Sequence, residues 1–321
     1  MKKRLLFVFN PRSGRGQIRT KLLDILDVFV KHEYEVIAHP TQDSGDACQV
    51  VAEYAHRVDL IVCSGGDGTL DEVVTGLMKA QTQVPVGYIP SGSTNDFASS
   101  LGISKNMVQA ARDIMEGDCY YCDVGSFNNK NFIYIAAFGL FTDVSYETDQ
   151  NLKNALGHLA YLLEASKRIF NVPTFWLKVD GGQEHQFEGE FIYGMVTNTR
   201  SVGGMKNIAG KYVEMDDGLF EVTLIHPVKN PLELNEVITA LLSGEPKTPL
   251  IEYFKTERIS VEAREEIAWT LDGERGGEYA FARIENRRRA LPLLLKKEKE
   301  EEPKEEGTKE EGREEDRTEQ P

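Results

Sequence analysis

Cysteine is scarce in this chain. Cys48, Cys63, Cys119 and Cys122 are the four in 321 residues, too few for a disulfide-built scaffold at this length. Cys119 and Cys122 have C-x-x-C spacing, but they sit in an apolar, strand-like run ending at Val124. On a strand, positions three apart point to opposite faces, so reduced thiols are expected there rather than a shared metal or redox role. Basic residues are also in deficit, with 37 Lys and Arg against 52 Asp and Glu and a formal charge of −15. Phosphate backbones recruit surplus Lys and Arg, so nucleic acid is not an expected partner. The same charge opposes nonspecific adsorption to anionic lipid, and any membrane contact must come from a local patch.

Long apolar runs are missing as well. The longest, 132–141, is too short to span a bilayer. Met1-Lys2-Lys3-Arg4 leads into only five apolar residues before Asn10 and Pro11, so no signal peptide is expected and a soluble, cytoplasmic protein is. A phosphate-binding G-x-x-x-x-G-K-S/T loop is absent. The nearest approach, Gly204 to Gly210-Lys211, has a spacer one residue too long and Tyr212 where a hydroxyl should meet Mg. Neither H-E-x-x-H nor Cys/His zinc spacing occurs among the six histidines. What remains, 40% hydrophobic residues over this length, is enough to fill two domains of ordinary size.

The most informative stretch runs from Asp59 to Glu72. Residues 59–63 form a short apolar run, long enough for a buried strand, and Leu70, Val73, Val74, Leu77 and Met78 recur at helical spacing. Between them lies Gly65-Gly66-Asp67-Gly68-Thr69. Thr69 followed by Glu72 has the capping-box pattern, which predicts a helix that starts at Thr69. A strand passing through glycines into a helix presents free N–H groups and a dipole that favour an anion. Asp67 would repel a phosphate there unless a divalent cation lay between them, which points to a Mg-nucleotide site. A tight turn that merely needs glycine has the same composition.

The chain on either side repeats the pattern. Residues 4–9 read as a strand that breaks at Asn10-Pro11-Arg12-Ser13-Gly14-Arg15-Gly16, where the glycines free the backbone and Arg12 and Arg15 add positive charge. A helix to about residue 31, a strand over 34–38, and a helix opened by Thr41 and Ser44-Gly45-Asp46-Ala47 follow. This βαβ alternation predicts a parallel, doubly wound sheet, with ligands outside the carboxyl ends of its strands. The turns at Asn10, Thr41 and Gly65 all fall at such ends. So does Pro90-Ser91-Gly92-Ser93-Thr94-Asn95-Asp96-Phe97-Ala98, after a strand over 84–89 and before a helix over 107–115.

After Gly125 the alternation stops. Strands are expected over 175–179, 187–196, 219–225, 254–261, 267–271 and 278–284, with helices only at 156–170 and 232–242. That pattern predicts an antiparallel, β-rich second domain. The acidic turn Glu214-Met215-Asp216-Asp217-Gly218-Leu219 suits either a hard cation or an ordinary hairpin. By residue type alone, Asp272-Gly273-Glu274 is a hairpin turn. Residues 296–321 are almost wholly Lys, Arg, Glu, Gly, Thr and Pro, and are expected to form a disordered acidic tail.

Taken in order, Asn10-Pro11-x-Ser13-Gly14, Gly65 to Thr69, Gly92 to Ala98, Gly203-Gly204, Asp217-Gly218 and Asp272-Gly273-Glu274 resemble the soluble diacylglycerol kinase and bacterial lipid kinase family. That family is similar to sphingosine and ceramide kinases and belongs to the NAD kinase and phosphofructokinase superfamily. The resemblance implies a nucleotide-binding α/β unit over 1–125 plus 286–295 and a β-rich lipid-substrate unit over 126–285. ATP would bind between them, in contact with Asn10, Pro11, Arg12, Ser13, Gly14, Thr41, Gly66, Asp67, Gly68, Thr69, Leu70, Asp71, Glu72 and Ser93. Glu274 would be the general base and Asp67 would hold the catalytic Mg, although the residues alone do not decide which carboxylate takes the proton. Asp217, with backbone oxygens of Glu214 and Leu219, would hold a structural Mg.

The implied reaction moves the γ-phosphate of ATP to a membrane lipid hydroxyl, with diacylglycerol as the foremost acceptor. A sphingoid base, phosphatidylglycerol or a soluble acceptor are the alternatives, with a non-catalytic ATP-binding regulator as the most distant. One departure bears on the lipid: Ser99 and Ser100 stand where diacylglycerol-specific members tend to carry a basic residue, and Arg15 where they tend to have Lys. Peripheral docking at the inner membrane face would use Arg15, Lys167-Arg168 or Arg287-Arg288-Arg289, unless these are solvated basic faces. A homodimer is the oligomeric expectation.

Overall fold

The computed structural model describes residues 2–139 and 173–296. Its first half alternates strictly: β1 (Lys3–Phe9), α1 (Ile18–Lys31), β2 (Tyr34–Pro40), α2 (Asp46–Tyr54), β3 (Leu60–Gly65), α3 (Asp67–Ala80), β4 (Val86–Pro90), a short α4 (Asp96–Ser100) and α5 (Met107–Glu116). β1 pairs in parallel with both β2 and β3, and β3 with β4. β3 and β4 are buried along their whole length, as strands covered on both faces must be, whereas β2 alternates and lies at the sheet edge. Ile25, Val28 and Phe29 of α1 share a core with Ala110 and Ile114 of α5 on one face of the sheet. On the other, Val50 and Val51 of α2 pack with Leu70, Val73, Val74 and Leu77 of α3.

The second half is antiparallel. It comprises β5 (Asp118–Phe127), β6 (Lys130–Phe132), β7 (Ile135–Gly139), β8 (Phe175–Asp180), β9 (Gln186–Phe191), β10 (Tyr193–Thr197), β11 (Ser201–Val202), β12 (Met205–Lys206) and β13 (Phe220–Ile225). It closes with α6 (Pro231–Ser243), β14 (Ile251–Thr256), β15 (Arg258–Leu271) and β16 (Glu274–Leu295). β16 passes through both halves. It pairs antiparallel with β15 and β5 and in parallel with β4 at Leu293↔Val86, so that one continuous sheet runs from β14 to β2. Phe127, Phe138 and Trp269 meet at 4.8–4.9 Å between ring centroids in the core of this half. Cys119 is exposed and Cys122 buried, on opposite faces of β5.

Several expectations need correction. The apolar run over 187–196 is two strands that break at Ile192, because β9 pairs with β8 while β10 lies between β7 and β13. Likewise 254–261 breaks at Glu257 into β14 and β15. α3 begins at Asp67, not at Thr69, and its N-cap Gly66 has no side-chain cap. The capping box fails because Glu72 is engaged elsewhere, as described below. The helix expected at 156–170, the basic pair Lys167-Arg168 and the tail beyond 296 lie outside the described residues. Lys296 itself is 2.7 Å from Glu116.

Candidate active site

Four strands end side by side at the carboxyl edge of the parallel sheet, and backbone hydrogen bonds tie the loops that leave them. Asn10 N–H donates to Ser64 O (2.9 Å), Thr41 N–H to Phe9 O (2.9 Å) and Ser91 N–H to Gly65 O (2.8 Å). The approach is closer than any side chain would allow. A Cβ on Gly14, whose φ is +52°, would sit 1.7 Å from the carbonyl oxygen of Ser91, and one on Gly92 would be 2.6 Å from Gly66 Cα.

Above this floor opens a groove of about 820 Å³. Of the residues expected to contact ATP, Asn10, Arg12, Ser13, Thr41, Gly66, Gly68, Thr69, Asp71 and Glu72 line it, together with Glu274. Pro11, Gly14, Asp67, Leu70 and Ser93 do not. Gly14 and Asp67 are half-buried, and Ser93 is exposed beside Gly92. Leu70 is a correction: its side chain is fully buried in the core against α2, and its N–H donates to Gly66 O at 3.2 Å. It holds the helix in place and offers nothing to a ligand. Gln42, Asp43, Ser44 and Arg275 also line the groove. Their only sequence signal was proximity to Thr41 and to Glu274.

Carboxylates crowd one end. Asp67 opens α3, and its Oδ2 accepts the Asp96 N–H at 3.1 Å. Its Oδ1 is buried with no hydrogen-bond partner among the described residues. Burial, and then the charge of Asp96, push its pKa up to about 6. Asp71, one helical turn on, is pushed up to about 7 by burial and by the charges of Glu72 and Glu274. Asp96 is tied to the other half of the molecule through Ser201 Oγ (2.7 Å), Gly203 N–H (2.7 Å) and Gly204 N–H (2.9 Å). Glu72 accepts from Gly45 N–H (2.7 Å), Ala47 N–H (3.2 Å) and Ser44 Oγ (3.4 Å). It therefore caps α2 rather than its own helix, and fixes the wall formed by residues 42–44.

Glu274 arrives from the antiparallel half. β15 and β16 join through a two-residue turn in which Asp272 (φ +50°) and Gly273 (φ +82°) both have left-handed φ, the pattern of a type I′ hairpin. Asp272 turns inward and is buried, and its carboxylate accepts three backbone N–H groups: Ile133 (2.6 Å), Tyr134 (3.0 Å) and Ile135 (2.9 Å). This anchor aims the next side chain but one over the first turn of α3. Glu274 Oε1 lies 3.6 Å from where a Cβ on Gly68 would be. Lys130 Nζ donates to Gly276 O at 2.6 Å and steadies the same turn. Among the lining residues, Arg12 and Arg275 are outnumbered by Asp43, Asp71, Glu72 and Glu274. A polyphosphate entering such a groove needs additional positive charge.

The acidic turn at 214–219 lies elsewhere. Asp217 Oδ1 accepts Leu219 N–H at 2.8 Å, and its Oδ2 is 3.7 Å from Lys255 Nζ, which also pairs with Glu221 at 2.9 Å. Glu214 is exposed. Lys255 thus offsets part of the charge at this turn. Within the basic run, Arg289 pairs with Asp216 at 3.2 Å, and the Arg288 stem packs over Gly218. Ser100 Oγ is 2.6 Å from Thr199 Oγ1 and accepts Ser201 N–H at 3.0 Å, so it bridges the two halves.

No helix among the described residues is long and apolar enough to cross a membrane. Residues 4–127 match the diacylglycerol kinase catalytic domain, and residues 136–295 match the YegS C-terminal NAD kinase beta sandwich-like domain. The diacylglycerol kinase of Bacillus subtilis (strain 168) is 37% identical over 280 residues, covering 86% of this chain and 91% of that protein. The diacylglycerol kinase of Staphylococcus aureus (strain bovine RF122 / ET3-1) is 33% identical over 281 residues, covering 86% and 88%. A crystal structure from Bacillus anthracis str. Sterne, described as a candidate diacylglycerol kinase, superposes with a TM-score of 0.78 at 26% identity, over 92% of this chain and 95% of that one. The chain belongs to the diacylglycerol kinase family, and it is a lipid kinase with ATP as its family's phosphate donor.

Proposed function

We propose that this enzyme transfers the γ-phosphate of Mg-ATP to the free hydroxyl of diacylglycerol, giving phosphatidic acid at a membrane surface. One observation carries this reading: the hairpin of the antiparallel half suspends Glu274 over the glycine turn that opens α3. A base and a phosphate-binding helix terminus thereby face one groove. The groove lining carries surplus carboxylate, so a divalent cation brought in with the nucleotide would offset charge there, with Asp67 at its floor to face it. Bound there, such an ion would neutralise charge on the transferring phosphate.

The protein's own part is positioning. Arg12, Ser13 and the N-terminus of α3 bind the phosphates, while Thr41 and the 42–44 wall hold the nucleoside side. Glu274 accepts the proton of the lipid hydroxyl as its oxygen bonds to the γ-phosphorus and the bond to the bridging oxygen of ADP breaks. Asp217, with the backbone oxygens of Glu214 and Leu219, would hold a second, structural cation, with the Lys255 ammonium 3.7 Å away on the other flank of Asp217. Residues 1–125 plus 286–295 would then carry the nucleotide and 126–285 the lipid.

The test is phosphorylation by γ-labelled ATP of lipids in mixed micelles, with diacylglycerol, a sphingoid base and phosphatidylglycerol run side by side. Label in phosphatidic acid is expected. Label confined to another lipid, or ATP binding without transfer to any of them, would overturn the assignment.

A further inference from the structure

We infer that Asp43 selects the nucleotide, its carboxylate accepting a hydrogen bond from a ribose hydroxyl at the nucleoside end of the groove. The inference deepens the reading above and rests on its placing of ATP in this groove. Asp43 belongs to the loop that leaves β2, and it lines the groove with Thr41, Gln42 and Ser44.

That loop is fixed on both sides of Asp43. Thr41 N–H donates to Phe9 O at 2.9 Å, and Gln42 N–H donates to Asp46 Oδ2 at 2.8 Å. The same Asp46 oxygen lies 3.1 Å from His39 Nε2. Beyond Asp43, Ser44 Oγ (3.4 Å) and Gly45 N–H (2.7 Å) donate to Glu72 of α3, and Asp46 N–H donates to Asp43 O at 3.3 Å. Asp46 and Glu72 thus use their carboxylates to hold the loop. Asp43 does not. No hydrogen bond or ion pair reaches its carboxylate among the described residues, and the residue is exposed. A loop clamped at its neighbours offers this one carboxylate with little further ordering to be done on binding.

Chemistry decides what it meets. An ionised carboxylate only accepts hydrogen bonds, and Gln42 beside it directs its amide nitrogen back to Pro40 O at 2.8 Å. Phosphate oxygens bring negative charge and are repelled here; Arg12 and the N-terminus of α3 draw them to the other end of the groove. Of what remains of ATP, the ribose brings two adjacent hydroxyl donors, and the two oxygens of one carboxylate match such a pair. Doubly wound folds that bind dinucleotides take a ribose hydroxyl on an acidic side chain about 20 residues beyond their glycine turn. Asp43 stands in the comparable place, just past the end of β2, the strand that follows the turn at Gly14.

Calorimetric titration of the full-length protein with the Mg salts of ATP, 2′-deoxy-ATP, 3′-deoxy-ATP and GTP tests this. Wild type is expected to bind ATP at least ~10-fold more tightly than one of the two deoxy analogues, the scale of one hydrogen bond to a charged group. Asp43→Ala should weaken ATP by that factor and remove the preference. Asp43→Asn keeps an acceptor oxygen without the charge, and its preference should fall between the two. Both variants change an exposed loop residue, so folding should be preserved.

A wild type that binds ATP and both deoxy analogues alike would overturn the inference. So would an Asp43→Ala variant that keeps the hydroxyl preference, weakens all three nucleotides equally, or loses discrimination against GTP instead. The two readings fail separately. Lipid phosphorylation with a hydroxyl preference untouched by Asp43→Ala removes this inference and keeps the reaction. An Asp43-dependent preference without transfer to any lipid keeps the residue's role and removes the reaction.

Discussion

Replacing Asp272 by alanine removes the shared acceptor of three backbone N–H groups, at 2.6, 3.0 and 2.9 Å, in a fully packed setting. Each buried N–H left without a partner costs about 1–3 kcal/mol. A left-handed φ of +50° adds roughly 1–2 kcal/mol once the side chain can no longer bond locally. Against this, the substitution removes a buried charge and its repulsion with Asp71. Asp272→Asn separates the two effects. It also removes the charge, tolerates the left-handed φ, and keeps one oxygen for Tyr134 and Ile135, while setting an amide N–H₂ against the Ile133 N–H. The alanine variant should therefore be less stable than the asparagine variant by at least ~2 kcal/mol, because two further N–H groups lose their acceptor. Urea unfolding followed by the fluorescence of the buried Trp269 measures that difference. Lipid phosphorylation measures whether the hairpin still presents Glu274, and both variants should lose kcat more than they change KM for ATP. If the two variants unfold within ~0.5 kcal/mol of each other, a typical error of such comparisons, the anchoring argument is wrong.

Other outcomes follow from the same geometry. Glu274→Gln should lower kcat by about 10²–10⁴-fold, with ATP binding by calorimetry left near wild type, as loss of a general base requires. Gly14→Ala should abolish nucleotide binding, because its Cβ would be driven to 1.7 Å from the Ser91 carbonyl oxygen at a φ of +52°; retained ATP affinity would show that the loops are not packed as described. Burial pushes Glu221 up to about 7 from 4.5, despite Lys255 beside it. The folded state therefore holds a proton that the unfolded chain has lost, so stability should fall as pH rises from about 4.5 to 7 and level off above. Glu221→Gln should flatten that slope, with urea midpoints at pH 5 and pH 8 as the readout.

Much of the architecture was legible along the chain because it depends on local causes. The apolar runs of β1, β3 and β4 must be covered on both faces, and their alternation with helices leaves a parallel sheet with its loops at one edge. Gly14, Gly65, Gly66 and Gly92 announced close approach at that edge, and the structure finds Gly14 against Ser91, Gly66 against Gly92, and Gly65 against the Thr69 side chain of α3. Strand breaks were less legible. Nothing local separates residue 191 from 193, since which partner each segment pairs with is settled by strands far away.

The polar residues divide along the same line. By itself the sequence determined that a glycine turn with Asp67 would meet a helix terminus, since neighbours in the chain suffice to build that. Only the tertiary structure decided that Glu72 caps α2 across 25–28 residues, that Leu70 faces the core, and that Asp272 anchors to N–H groups 137–139 residues away. A carboxylate bonds whichever donor the packed chain brings within reach, and for these residues the donors arrive from elements distant in sequence. For that reason a turn that reads as an ordinary hairpin becomes the support that sets Glu274 over α3.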